Sequence, residues 1–409
     1  MKLKISFLVF IYSAIFLLLG STWYLKSIKI SKNVLYPLGT SYSVLSAKDI
    51  KIRPNHVVYG FLPYWMIENT EYLQLDKLTD IAYFALHINP DGTIQNLTEE
   101  GTAEPGYNNW RNSDILSQLI LKSKTQGLNF ALTIISHDDE TTYEFLDCRN
   151  CWDTLLSEIT RELDFRGISN VNMDFELIEQ DVKEGYNQKY SQLVNFLNNR
   201  LDAKYGDSFV VTSTLPDSAY KPRITEIASL ANASDALFVM AYDFHRPTSD
   251  TSGPIAPISG VGETQEYDLN TMLKDYLALT TADKLILGVP YYGYNWLVTD
   301  GSPQADRIPG DDVLGFSISQ TYATIADTKL KYKPEIKWDE TAQVPYFTYF
   351  NEEYGTTRQV YFEDADSIRA KYKFAKTAGL AGVGIWALGY DGGYQELWEL
   401  LKEEFLPVN

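Results

Sequence analysis

The sequence predicts a (β/α)8 TIM barrel with a small α+β insertion between its seventh and eighth strands. Two observations carry that expectation. Eight short apolar runs recur from Val57 onward, and stretches with apolar residues three and four apart separate them. Such alternation marks βα units that feed a parallel sheet. The runs are almost continuously apolar, as strands covered on both faces must be. No run is followed by Gly-x-Gly-x-x-Gly, so an open dinucleotide-binding sheet finds no support. The 409 residues leave room for one elaborated barrel, which needs about 250 residues before insertions.

Taken in order, the strands read as Val57–Tyr64, Ile81–Ile88, Phe130–Ile135, Val171–Glu176, Phe209–Leu215, Leu237–Asp243, Leu285–Tyr291 and Gly382–Leu388. Helical spacing shows in Ile115, Leu116, Leu119 and Ile120, and again in Trp152, Leu155, Leu156, Ile159 and Leu163. A third such set is Tyr190, Leu193, Phe196, Leu197 and Leu201. The gap before the last strand is too long for one helix. An inserted subdomain is therefore expected over about 297–363, with strand-like pieces at Val344–Tyr349 and Gln359–Phe362. Ala365–Thr377 then reads as the last barrel helix. Insertions at strand C-termini stand over the working face of such barrels.

The first 25 residues read as targeting sequence: Lys2 and Lys4 precede an apolar run from Ile5 through Leu19. The run is long enough to span a bilayer, and a signal-anchor and a cleaved signal peptide both fit it. Residues 26–54 form a polar tether, and 55–409 form the barrel domain. The expected location is extracytoplasmic, either secreted or anchored to the outer face of the membrane.

A net charge of −19 with no Lys/Arg run excludes nucleic acid as a partner, since phosphates need neutralising cations. It equally disfavours anionic membrane surfaces, so membrane contact is expected only through the N-terminal segment. An uncharged partner fits best, and a monomer is expected. The 29 Tyr and 8 Trp suit either an aromatic core or stacking surfaces for sugar rings. Cys148 and Cys151 form a lone Cys-x-x-Cys, open to a local disulfide or to free thiols. The four histidines (His56, His87, His137, His245) show no metal-ligand spacing. No metal and no cofactor are expected.

The informative segment runs from Gly167 to Glu176. Alternation places Asn172, Asp174 and Glu176 on one strand face and Val171, Met173 and Phe175 on the other. The apolar set would pack on helices, which leaves the polar set facing the lumen, with Glu176 at the mouth where barrel enzymes work. Two carboxylates confined side by side repel, so one keeps its proton near neutral pH and can serve as a general acid. A hydrogen-bonded polar pair at a barrel end would show the same pattern.

The segment Ser169-Asn-Val-Asn172-Met-Asp174-Phe-Glu176 resembles the strand-four signature Asp-x-x-Asp-x-Asp-x-Glu of the family 18 glycoside hydrolases, the chitinase family. Ser169 and Asn172 stand where that signature has acids. Met240-Ala-Tyr242-Asp243 with Gly253–Pro257, Gly288–Gly293 and Gly382–Gly392 resemble further segments of the family in the right order. The likeness spans roughly residues 55–405. It implies substrate-assisted, retaining cleavage of β-1,4 bonds in N-acetylglucosamine-containing polysaccharide, chitin or peptidoglycan. On that analogy Glu176 is the general acid/base, Asp174 orients the substrate acetamido group, and Tyr242 hydrogen-bonds its carbonyl. Trp386 floors the sugar, while Asp243, Met240, Tyr59 and Asn172 complete the substrate site. An amide at Asn172 can hydrogen-bond Asp174 but cannot accept its proton, so a shifted pH profile is expected. It also resembles the bacterial cell-wall and spore branch. The alternative is a chitinase-like lectin; such members usually lack the acid at the position of Glu176.

Overall fold

The computed structural model describes residues 56–177 and 182–406. The N-terminal apolar run and the tether to residue 55 lie outside them. Among the described residues no helix is long and apolar enough to cross a membrane.

Eight parallel strands close into a barrel. In chain order they are β1 (Val57–Pro63), β2 (Asp80–His87), β3 (Asn129–Ser136), β4 (Asn170–Phe175), β5 (Val210–Thr214), β6 (Ala236–Val239) and β7 (Leu285–Pro290). The last strand, β13 (Gly382–Trp386), closes the ring between β7 and β1. Helices such as Arg149–Arg166 and Tyr186–Tyr205 cover the outside, burying Leu155, Ile159, Leu193 and Leu197 against the sheet. Cys148 and Cys151 are joined by a disulfide at the start of the first of these helices.

Period-two alternation divides each barrel strand between two cores. Val171, Met173 and Phe175 join the cluster between sheet and helices, whereas Tyr59, Phe61 and Phe238 belong to the lumen cluster. Large side chains fill the lumen only because small ones face them. A Cβ at Gly384 would lie 2.1 Å from Phe238 Cε2, and one at Gly288 2.9 Å from Phe238 Cε1. These two glycines, on the strands next along from β6, leave room for the Phe238 ring.

Two strand ends fall short of the sequence reading by more than one residue. The sixth run stops at Val239 and not at Asp243, because the chain leaves the ladder there: the amide of Ala241 bonds the Val239 carbonyl and that of Tyr242 the Met240 carbonyl. The eighth stops at Trp386, two residues before Leu388.

Between β7 and β13 the chain builds a second sheet from β8 (Tyr292–Leu297), β9 (Ile318–Thr321), β10 (Ile336–Asp339), β11 (Val344–Asn351) and β12 (Thr356–Phe362). Its order is β10-β11-β12-β8-β9, antiparallel throughout. The sheet begins at Tyr292, earlier than the expected boundary near residue 297. Pro290 ends the barrel ladder, and the chain pairs with β12 from Gly293 onward.

The barrel-proximal end of β12 is tied to the barrel by a buried ion pair. Glu363, just past β12, accepts from Lys371 Nζ at 2.7 Å, with both side chains essentially inaccessible. Lys371 lies in the helix Ala365–Thr377 that leads into β13. Removing one partner strands a buried charge, which costs about 3–5 kcal/mol, while replacing both by apolar groups is often neutral. Lys371→Met should therefore lower urea-unfolding stability by about that amount, and adding Glu363→Leu should recover most of the loss. Equal stability of wild type and the single variant would refute this account.

Candidate active site

The strand ends at the C-terminal face of the barrel meet in a cleft of about 270 Å³. Its floor is set by β4. Asp174 points inward from the strand and is 3% exposed, while Glu176 lies just past the strand, its amide bonded to the Ser136 carbonyl at 3.0 Å. About one-third of the Glu176 side chain faces the opening.

Burial raises the Glu176 carboxyl to about 6; Arg246 pulls it down and Asp243 pushes it up. Asp174 is driven well above the usual carboxylate range, first by burial and then by the charge of Glu176, against a lowering hydrogen bond from Ser213. A carboxylic acid that keeps its proton to about pH 6 is what proton donation to a leaving group requires.

The opposite wall comes from the segment after β6. Asp243 has a left-handed backbone, φ 63°. That conformation costs a non-glycine residue about 1–3 kcal/mol and persists where neighbours impose it. Here its carboxylate accepts from Tyr294 OH at 2.6 Å and from Tyr292 OH, with Arg246 Nε 4.0 Å away. Tyr292 and Tyr294 alternate along β8, so the inserted sheet presents its tyrosines to the cleft and holds Asp243 in place. Tyr242 also lines the cleft; burial, then Asp174, keeps its hydroxyl protonated.

Aromatic rings form the rest. Trp386, at the end of β13, meets Phe84 edge-on at 4.8 Å and Phe61 at 5.7 Å between centroids. The Phe84–Ala85 and Trp386–Ala387 peptides are cis. His137, just past β3, lies with Nε2 3.5 Å from Glu176 Oε1. Burial lowers its pKa to about 4, so its ring is neutral across the working range of Glu176.

The structure thus brings Asp174, Glu176, Met240, Tyr242, Asp243 and Trp386 to one cleft. Two residues expected to touch substrate lie elsewhere. Tyr59 is fully buried near the base of the lumen, its ring packed on Phe61 and Phe238 at 5.3 and 6.0 Å. It sits two residues below Phe61, which itself lies under Trp386, so it supports the floor and does not line the cleft. Asn172 is fully buried one pleat beneath Asp174 and shares a 3.2 Å hydrogen bond with Ser213 Oγ. Ser213 also lowers the pKa of Asp174. The Asn172 amide thus bonds the β5 hydroxyl in place of the expected carboxylate.

His137, Arg246, Tyr292, Tyr294 and Phe84 line the cleft without having been singled out. Position alone could have flagged His137, which lies two residues past the third apolar run at the catalytic end. Arg246 and the tyrosines gain meaning only from the fold that faces them toward Glu176 and Asp243.

Comparison with known proteins agrees with this geometry. The model of the glycosyl hydrolases family 18 matches residues 57–391. The cortical fragment-lytic enzyme of Bacillus anthracis is 26% identical over 345 residues, covering 80% of this chain and 68% of that protein. The spore cortex-lytic enzyme SleL of Bacillus megaterium QM B1551 superposes with a TM-score of 0.67 at 19% identity, covering 90% of this chain and 77% of that one. The Ostrinia furnacalis Group IV chitinase gives 0.72 at 18% identity, covering 86% of this chain and 100% of that one. The family model spans the barrel from its first strand to just past its last, and on that extent of agreement the chain belongs to the glycosyl hydrolases of family 18, with a likeness to bacterial spore-type members.

Proposed function

We propose that this protein hydrolyses β-1,4 bonds in N-acetylglucosamine-containing glycans outside the cytoplasm, by substrate-assisted, retaining catalysis with Glu176 as general acid/base. The observation that carries the reading is the carboxyl pair at the barrel mouth, with Glu176 held protonated to about pH 6 beside a more deeply buried Asp174. The substrate class is supported by the relatives whose names include chitinases and cortex-lytic enzymes.

In the first half-reaction the Glu176 proton passes to the glycosidic oxygen as the bond from that oxygen to the anomeric carbon breaks. The substrate's own acetamido oxygen closes onto that carbon, giving an oxazolinium ion. Asp174 orients the acetamido group by accepting its N–H. Tyr242, its hydroxyl protonated, donates to the acetamido oxygen, and Trp386 packs beneath the sugar ring. In the second half-reaction water attacks the anomeric carbon from the vacated side. Glu176, now ionised, takes the water proton, and the configuration is retained.

Glu176→Gln should lower kcat by about 10²–10⁴-fold, the usual worth of a positioned acid, with oligosaccharide binding retained. The assay offers wild type and variant N-acetylglucosamine oligomers, insoluble chitin and purified peptidoglycan, with products read by mass spectrometry. Equal turnover by the variant would remove Glu176 from its role.

The acid works in its protonated form, so activity should fall as pH rises through about 6. Arg246 favours the ionised form, and Arg246→Met should move this alkaline limb to higher pH. Asp243 disfavours it, so Asp243→Asn should move the limb lower; asparagine also tolerates the left-handed backbone there. Profiles of kcat/KM that shift in the opposite directions, or not at all, would show that another group governs the limb.

A further inference from the structure

His137, Asp174 and Glu176 form a donor set that the proposed hydrolysis does not use as a set. One ligand atom from each lies within 4.8 Å of the other two. Parallel pairing explains the meeting: Ile135 on β3 is in register with Asp174 on β4, so the residues just past the two strand ends lie side by side.

Two of the three donors are uncommitted. Asp174 is 3% exposed and lines the cleft, yet its Oδ1 has no hydrogen-bond partner among the described residues. His137 Nε2 also has none, although it lies 3.5 Å from Glu176 Oε1. Buried polar atoms without partners are costly and call for a reason. The donor types point the same way: among the described residues lining the cleft, three carboxyl groups, Asp174, Glu176 and Asp243, meet one cation, Arg246.

An imidazole nitrogen with two carboxylate oxygens suits borderline metal ions and not magnesium or calcium, which prefer all-oxygen cages. Tetrahedral zinc with ligands at about 2.0–2.2 Å holds them roughly 3.3–3.6 Å apart. The His137–Glu176 separation is already 3.5 Å. Glu176, one-third exposed, is the member free to turn and close the wider gaps.

We propose that His137, Asp174 and Glu176 form a site for zinc or a similar borderline divalent cation, at which the ion excludes substrate and holds the enzyme inactive. The ion would occupy the Glu176 oxygen that must carry the proton and the Asp174 oxygen that must face the acetamido group. It acts as an inhibitor, not as a cofactor. The inhibitory part rests on the reading of Glu176 as the acid; the binding part does not.

The test titrates zinc into the whole protein by calorimetry, with magnesium as control, for wild type, His137→Asn and Asp174→Asn, all checked for folding by circular dichroism. Cobalt(II) absorption in the visible reports a nitrogen-and-oxygen donor set independently of activity. The proposal expects one zinc per chain, affinity weakened by about tenfold or more in each folded variant, no magnesium binding, and zinc affinity that falls as an N-acetylglucosamine oligomer is added. Should one variant fail to fold, the other carries the comparison. Absence of stoichiometric binding, wild-type affinity in a folded variant, or zinc affinity indifferent to the oligomer would each overturn it. Zinc bound as expected to a protein that cleaves no glycan would instead overturn the reading of Glu176 while leaving the ion site standing.

Discussion

Two carboxyl groups on one face of one buried strand, with too little water to ionise both, set the terms for everything at the mouth of this barrel. Asp174 is 3% exposed, and its proton is held by burial and by the neighbouring charge of Glu176. Glu176 is held less tightly, near 6, because it faces the opening and because Arg246 partly offsets its burial. The same chemical group thus takes two characters two residues apart, through differences in solvation and charge alone. The Ser213 hydroxyl, which bonds the buried amide of Asn172 and lowers the Asp174 pKa, fits this balance. A third acid beneath the pair would add a further charge, whereas an amide and a hydroxyl supply hydrogen bonds without one.

The inserted sheet is coupled to that pair through a strained residue. Asp243 keeps a left-handed backbone because Tyr292 and Tyr294 hold its carboxylate from β8. Its charge in turn pushes Glu176 upward. The end of β12 beside the start of β8 is fixed to the barrel by the buried Lys371–Glu363 pair. The insert is therefore both a wall of the cleft and part of its electrostatics.

Much of this was legible in the chain. Continuous apolar runs separated by helical spacing gave the barrel class, because strands covered on both faces leave no other pattern. Alternation alone put Asn172, Asp174 and Glu176 inward and Val171, Met173 and Phe175 outward, since side chains in a strand must alternate. Less was legible where the ladder stops. The apolar run through Leu237–Asp243 reads as one strand, yet backbone turning after Val239 ends it. The step into β8 at Tyr292 was likewise hidden, because an aromatic run carries no mark of where one sheet yields to another.

By itself the sequence determined that a carboxyl pair two positions apart shares one strand face, because covalent geometry enforces that periodicity at short range. The aromatic floor at Trp386 and the tyrosine at Tyr242, inside the sixth apolar run, were implied by likeness to a known family. Only the tertiary structure decided which of them share a cleft and with what company. It lowered Tyr59 into the lumen, set Ser213 between Asn172 and Asp174, and carried His137, Arg246 and the β8 tyrosines to the carboxylates. Those meetings depend on barrel register and on the packing of the insert, which join residues far apart in the chain. The pKa values follow from the same source, because burial and the distance between charges exist only once the barrel has closed.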